Sequence, residues 1–285
     1  MKRFSKKRLL LLSIAGVLLL GLILWISWDN AALELNTYTV ASPELPEAFD
    51  GFRIAHVSDL HNAEIGKENA RLLAVLRQSQ PDMIAITGDL IDSRSTDVTV
   101  ALDFAEEAVK IAPCYYVTGN HESRVDAYET LKSGLLALGV IVLDDTATQL
   151  TRSGQSITVL GVNDPTFQPD YGSETALLTD TLAALAGQAQ GYTILLSHRP
   201  EQFQVYAEAG MDLVLAGHAH GGQFRLPFVG GLIAPHQGLF PAYDAGLYTQ
   251  ADTHMLVSRG IGNSLFPFRV NNRPEVILVQ LQCAD

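Results

Sequence analysis

Between Leu9 and Trp28 the chain carries no charged residue. Twenty predominantly apolar residues leave few choices of fold, because away from water the backbone must satisfy its own hydrogen bonds, and within one segment only a helix does so. At 1.5 Å per residue such a helix reaches about 30 Å, the thickness of a bilayer hydrocarbon core. A cleaved signal peptide has a shorter apolar region, about 7–15 residues, followed by a small-residue cleavage site. Here the run is longer and leaves through Trp25, Trp28 and Asp29, with Asn30-Ala31-Ala32 a weak cleavage candidate. Paired tryptophans at one end suit an interfacial belt. The sequence therefore predicts an uncleaved transmembrane anchor over 9–28.

Charge supplies the orientation. The chain has 285 residues and a formal net charge of -12. Residues 1–8 hold five basic side chains (Lys2, Arg3, Lys6, Lys7, Arg8) and no acidic one. The rest of the chain holds 14 basic and 31 acidic residues, a net charge of -17. Basic residues before the span and Asp29, Glu34, Glu44 and Glu47 after it predict a cytoplasmic N-terminus and a body outside the cytoplasm. Arg3 is followed by Phe4, so there is no twin-arginine signal. An acidic body lacks the clustered Lys and Arg of a nucleic-acid groove, so nucleic acid is not expected as a regular partner. Two cysteines make no disulfide framework.

Residues 29–50, with Pro43 and Pro46, read as an extended linker, and 51–285 as one folded body. In the body, strand-length apolar runs alternate with helix-period segments. Strands are predicted over 52–57, 83–87, 115–118, 192–196, 213–216, 255–258 and 276–281, with a hairpin joining 148–151 to 156–160 through Ser153-Gly154. Helices are predicted over 65–79, 98–111, 127–138 and 173–186, the first two ended by Pro81 and Pro113. This alternation indicates an α/β domain. The hairpin and the late strands without helices between them argue against a purely parallel sheet.

The polar residues fall at the ends of the strands. Successive strands are followed by Ser58-Asp59-Leu60-His61, Gly88-Asp89, Gly119-Asn120-His121-Glu122, Ser197-His198 and Gly217-His218-Ala219-His220. In open α/β sheets, sites form just beyond the carboxyl ends of strands. Convergence of these five ends would gather two Asp, one Asn and five His. Imidazole, carboxylate and amide oxygen without thiolate suit Mn, Fe, Zn or Ni. The set is too large for one ion, whereas two ions about 3.5–4 Å apart sharing a carboxylate suit in-line displacement at phosphorus.

In this order the five clusters resemble the blocks of the calcineurin-like metallophosphoesterases. The segment 217–227, with Arg259-Gly260-Ile261-Gly262 and Pro274-Glu275, is similar to a bacterial, membrane-associated or exported phosphodiesterase subgroup. The resemblance implies a four-layer α/β/β/α sandwich of two mixed sheets behind the anchor. It implies two divalent ions, one held by Asp59, His61, Asp89 and His220, the other by Asp89, Asn120, His198 and His218. A hydroxide bridging the ions would attack phosphorus, with His121 as the catalytic residue at the leaving oxygen and Glu122 orienting His121. A phosphodiester is the expected substrate, with lipid-linked and cell-wall esters as the candidates. Hydrolysis of a pyrophosphate in a UDP-sugar lipid is the alternative. A non-catalytic binding platform is a further alternative, disfavoured by the complete ligand set.

The family departs from this chain at Asn163-Asp164, where a pair of aspartates is expected. The glycine-, proline- and aromatic-rich stretch 224–248 reads as a loop shaping the substrate pocket or as ordinary packing. Within it Arg225 either meets a substrate phosphate or pairs with an acidic neighbour. His56, His236 and His254 lie outside the clusters and are given no role. Cys114 reads as a small buried hydrophobe.

Overall fold

In the computed structural model, which describes residues 6–263 and 266–284, the uncharged run lies inside a longer helix, α1 (Lys6–Ala31). Its large apolar side chains are exposed along the span, with Leu12, Val17 and Leu20 all more than half accessible. Apolar all round and unburied over its apolar window, this helix is long and apolar enough to cross a membrane. Lys6, Lys7 and Arg8 form its first turn. Lys2 and Arg3 of the basic tip fall outside the described residues.

The segment read as a linker instead contains a nine-residue strand. β1 (Glu34–Ser42) pairs in parallel with the last strand of the chain, from Glu34 opposite Glu275 to Ser42 opposite Cys283. The two prolines fall just beyond its end and stop the strand rather than mark loose chain.

After β1 the chain runs through β2 (Arg53–Val57), α2 (Ala70–Ser79), β3 (Met83–Thr87), α3 (Thr99–Ala108), β4 (Cys114–Val117), α4 (Tyr128–Ala137) and β5 (Ile141–Val142). It continues through β6 (Thr146–Arg152), β7 (Gln155–Gly161), α5 (Glu174–Leu185), β8 (Thr193–Leu196), α6 (Phe203–Glu208) and β9 (Leu213–Ala216). Four two-residue strands follow, β10 (Arg225–Leu226), β11 (Gly230–Gly231), β12 (Ile233–Ala234) and β13 (Gly238–Leu239). β14 (Gly246–Gln250), β15 (Thr253–Val257) and β16 (Glu275–Cys283) end the chain. One sheet has the order β1-β16-β2-β3-β4-β5 and the other β14-β15-β9-β8-β7-β6, and both are mixed.

The alternation of side chains across each strand separates the core into three parts. Val57, Ile84, Ile86 and Tyr116 face α2, α3 and α4, meeting Leu72, Phe104 and Leu131. Ile54, Met83, Ala85 and Val117, the alternate residues of the same strands, meet Val159, Ile194 and Leu215 of the second sheet. Leu160, Leu195 and Val214 face α5 and α6 through Leu178, Leu182 and Tyr206. Helices, sheet, sheet, helices: the four layers follow from which strand residues are apolar.

Two local features differ from the sequence reading. The helix predicted from residue 65 begins at Ala70, because Glu68 and Asn69 are left-handed and the Asn69 side chain accepts from the Ile65 amide at 2.9 Å. Phe203–Glu208 is helical although too short to show a period. The hairpin turns through Ser153 (φ 50) and Gly154 (φ 82), the positive pair that a two-residue hairpin turn requires.

Candidate metal centre

β2, β3 and β4 are parallel in one sheet, and β8 and β9 in the other, so all five clusters emerge at their carboxyl ends. The two sheets are bound together there, where His198 Nδ1 lies 2.7 Å from the Thr87 carbonyl oxygen. The loops after β2 and β3 stay paired past the strand ends: the Asp59 amide donates to Gly88 O at 3.1 Å and the His61 amide to Asp89 O at 2.9 Å. Asp59, His61, Asp89, His218 and His220 all have positive φ. Such conformations are uncommon outside glycine and collect where surrounding structure enforces them. Gly88 and Gly217 give the room. A Cβ on Gly88 would fall 2.6 Å from the Gly119 Cα, and one on Gly217 would collide with the Ser58 hydroxyl and the Asp59 carboxylate.

The result is two groups of ligand atoms sharing one carboxylate. In the first, His61 Nε2 lies 3.2 Å from His220 Nε2, 3.8 Å from Asp59 Oδ1 and 3.5 Å from Asp89 Oδ2. His220 Nε2 is 3.3 Å from Asp59 Oδ1. In the second, His198 Nε2 is 3.2 Å from Asp89 Oδ2 and 3.1 Å from His218 Nδ1. Tetrahedral coordination by nitrogens about 2.0–2.1 Å from an ion puts neighbouring ligands roughly 3.3 Å apart, so both groups have the spacing of a coordination shell. Asn120 Oδ1 and His61 Nδ1 are buried with no hydrogen-bond partner.

Electrostatics agrees. Asp59 and Asp89 are buried, which by itself favours their neutral acids. His220 and His61 beside Asp59, and His198 beside Asp89, nevertheless hold both carboxyls below the usual range. Burial opposes charge on His198 too, but Asp89 outweighs it and the imidazole is pushed up to about 10. His218 is driven down by burial and then by the charge of Arg199, and His220 is driven down to about 3 by burial against the opposing charge of Asp59. Two buried carboxylates in one cavity call for positive charge, and the donor set is one that divalent ions fill. Each of the two groups can hold one such ion.

Comparison with known proteins bears on this geometry. The family model described as calcineurin-like phosphoesterase matches residues 52–222, a span containing every one of these side chains. The chain belongs to the calcineurin-like phosphoesterase family. It is 30% identical to the metallophosphoesterase YkuE of Bacillus subtilis over 261 residues, 89% of this chain and 87% of that protein. It is 29% identical to the phosphodiesterase YaeI of Escherichia coli over 81% of this chain and 82% of that protein. It is 28% identical to a transmembrane protein with metallophosphoesterase domain of Danio rerio, over 90% of this chain and 59% of that protein. Family membership makes this a metal-dependent phosphoester hydrolase in the broad sense.

Around the centre of this phosphoesterase the structure revises several sequence-based assignments. Glu122 does not orient His121. Its Oε2 accepts from the amides of Asp89 (2.9 Å) and Gly119 (2.8 Å), and its Oε1 from Ile91 (3.3 Å). It clamps the two loops that carry Asp89 and Asn120, and burial followed by the charge of Asp89 pushes its carboxyl up to about 7. His121 is held elsewhere: Nδ1 accepts from the Ser93 amide at 2.9 Å and Nε2 lies 4.0 Å from Asp89 Oδ2. Its backbone amide donates to Asp89 Oδ1 at 2.8 Å. At 10% side-chain exposure His121 is more open than His61 or His198, both at 0%. Arg225 takes the second of its two options, pairing with Asp244 at 3.0 Å and donating to Gly221 O.

Sequence reasoning missed a polar network behind His218. Asp164 is buried and receives Arg199 through Nε (2.5 Å) and Nη2 (2.8 Å). Arg199 Nη1 reaches His236 Nδ1 at 2.8 Å and His218 Nε2 at 3.4 Å, and the His236 ring stacks on His218 at 5.0 Å. His236, given no role from sequence, thus borders the centre. Its only signal was its place in the loop after the fifth cluster. Asn163, the departure from the family, bonds to Thr118 and Asp145 away from the ligand atoms. His56 is buried on Thr87 and Cys114 sits in the core, as expected. Cys114 and Cys283 are both free thiols.

Proposed function

We propose that this phosphoesterase is a membrane-anchored dimetal hydrolase of phosphodiester bonds. Asp59, His61, Asp89 and His220 hold one divalent ion, and Asp89, Asn120, His198 and His218 hold the other. The carrying observation is Asp89, whose Oδ2 lies within 3.5 Å of imidazole nitrogens from both groups. The chemistry such ions supply when bound is Lewis acidity, toward water and toward the phosphoryl oxygens. Mn, Fe, Zn and Ni all suit the donors. His121 holds a proton at Nε2 for the leaving oxygen, since its Nδ1 is occupied by the Ser93 amide. The identity to YaeI, a phosphodiesterase by name, supports the diester over the pyrophosphate reading.

The full chain in detergent is expected to hydrolyse bis-p-nitrophenyl phosphate once Mn²⁺ is supplied, and to stop on chelation. Absence of turnover with Mn²⁺, Fe²⁺, Zn²⁺ and Ni²⁺ alike would refute this function.

The anchor is α1, with its N-terminus in the cytoplasm and the catalytic body outside. Support comes from Lys6, Lys7 and Arg8 at one end of the span and Asp29 and Glu34 at the other, and from the transmembrane relative of Danio rerio. A C-terminal reporter active only outside the cytoplasm should give signal. Signal solely from a reporter active only inside would reverse the topology.

A further inference from the structure

The membrane helix does not end in a free tether. Asn30 exchanges two hydrogen bonds with the backbone of Arg269, donating to its carbonyl at 2.8 Å and accepting from its amide at 2.7 Å. The buried Asp29 takes Arg273 Nε at 2.7 Å, and the Arg273 guanidinium lies 4.4 Å from the centre of the Trp28 ring. From the same residue that Asn30 grips, the Arg269 side chain runs inward, fully buried. It donates to the carbonyls of Arg259 (2.6 Å) and Gly262 and reaches to 3.4 Å from His220 Nδ1. One arginine therefore joins the end of the apolar span to the metal centre.

The residues just before Arg269 are exposed and aromatic. Phe266 and Phe268 are 43% and 42% accessible, and their carbonyls accept from the side chain of Gln223, close after His220. Their rings lie 5.2 and 5.7 Å from that of Phe224, which bridges to Val270. The two small hairpins that follow Phe224 expose Phe228 completely and Phe240 by 60%. Between the second of these hairpins, through Ile233, Ala234 and Gly238, and Phe266 lies a cavity of about 250 Å³, also lined by His220, Gln223 and His236.

A soluble protein seldom leaves so many large apolar side chains exposed to water in one region. Here the occupant is set by continuity with α1. Trp28 belongs at headgroup level, where an indole finds both an apolar and a polar neighbour. Arg273 packs on Trp28 and the Arg269 backbone pairs with Asn30, so the segment that carries Phe266 and Phe268 is joined to the headgroup end of α1. We propose that the aromatic rim rests on the bilayer and that the cavity beside His220 receives the hydrocarbon chain of a membrane-resident phosphodiester, whose phosphate enters the metal centre. This rests on the hydrolase reading above and names the substrate class for it. The bond broken is the same P–O ester bond; water supplies the oxygen to phosphorus and the alcohol leaves with a proton.

The test uses full-length protein in phosphatidylcholine nanodiscs with Mn²⁺ and two substrates sharing one leaving group, p-nitrophenyl methyl phosphate and p-nitrophenyl hexadecyl phosphate. The hexadecyl ester is expected to show a kcat/KM at least about tenfold higher, a factor that burial of only two methylenes reaches. Phe266→Ser and Phe240→Ser should collapse that preference, while turnover of the methyl ester by each variant reports an assembled metal centre. Equal rates for both esters in the parent would overturn the proposal. So would a preference that survives both substitutions, because partitioning into the disc alone would then explain it. Turnover of neither ester would instead overturn the hydrolase reading itself.

Discussion

Asp89→Asn is expected to lower bound metal from two ions per chain to fewer than one and to cut phosphodiester turnover by at least 10³. The substitution barely changes shape. An asparagine oxygen can still accept from the His121 amide, now 2.8 Å from Asp89 Oδ1. What it removes is the negative charge at Oδ2, within 3.2 Å of His198 and 3.5 Å of His61. An amide cannot bridge two cations, and its NH₂ would face imidazole nitrogens that must themselves be free to coordinate. A factor of 10³ corresponds to about 4 kcal/mol of barrier, within the several kcal/mol that Lewis-acid stabilisation supplies. Thermal melts separate this from simple unfolding. Without added metal the variant should still melt cooperatively but no higher than the parent, since asparagine cannot pair with the His198 imidazolium. With metal the parent should gain about 2.7 kcal/mol at a hundredfold excess over Kd, and the variant should not. Two bound ions in Asp89→Asn, or activity within tenfold of the parent, would remove Asp89 as the shared ligand.

The legibility of this centre in the sequence has a physical cause. Its ligands follow strands buried on both faces, which read as continuous apolar runs, so each polar cluster stands out at a run's end. Met83–Thr87 and Leu213–Ala216 were readable to the residue for that reason. β1 was hidden because it is an edge strand with alternate residues exposed, leaving Tyr38 and Val40 as its inward apolar pair. Asp164 stood out only as half of the Asn163-Asp164 pair, and nothing local shows that it meets Arg199 and His236, which come together only through the fold. Arg199 follows a ligand directly, yet a lone arginine gives no sign from sequence that it will be fully buried. Glu122 shows a subtler limit. Its neighbour His121 suggested a pair of side chains, whereas the short 3₁₀ turn Glu122–Arg124 aims the carboxylate back at the amides of Asp89 and Gly119. The docking of α1 was equally invisible, because Asn30 and Arg269 are separated by most of the chain.

His121→Ala should keep both ions and slow turnover by about 10²–10⁴, the usual contribution of a positioned proton donor. Metal retention follows from the backbone: the amide that orients Asp89 is that of residue 121, and alanine supplies it equally well. The imidazole itself touches the centre edge-on, its ring 4.5 Å from that of His61. Ser93 N–H occupies Nδ1, so the neutral ring carries its proton on Nε2, which is the side turned toward Asp89. Burial, only partly offset by Asp89, lowers the pKa of His121 and so favours this neutral ring, whose Nε2–H can hydrogen-bond to the charge developing on the leaving oxygen. The choice of leaving group distinguishes this role from a structural one. p-Nitrophenolate departs with little need of a proton, whereas an alkoxide does not. The loss in His121→Ala should accordingly be several-fold larger for a dialkyl phosphate than for bis-p-nitrophenyl phosphate. An equal loss on both substrates would make His121 a positioning residue, and an unimpaired variant would take it out of the reaction altogether.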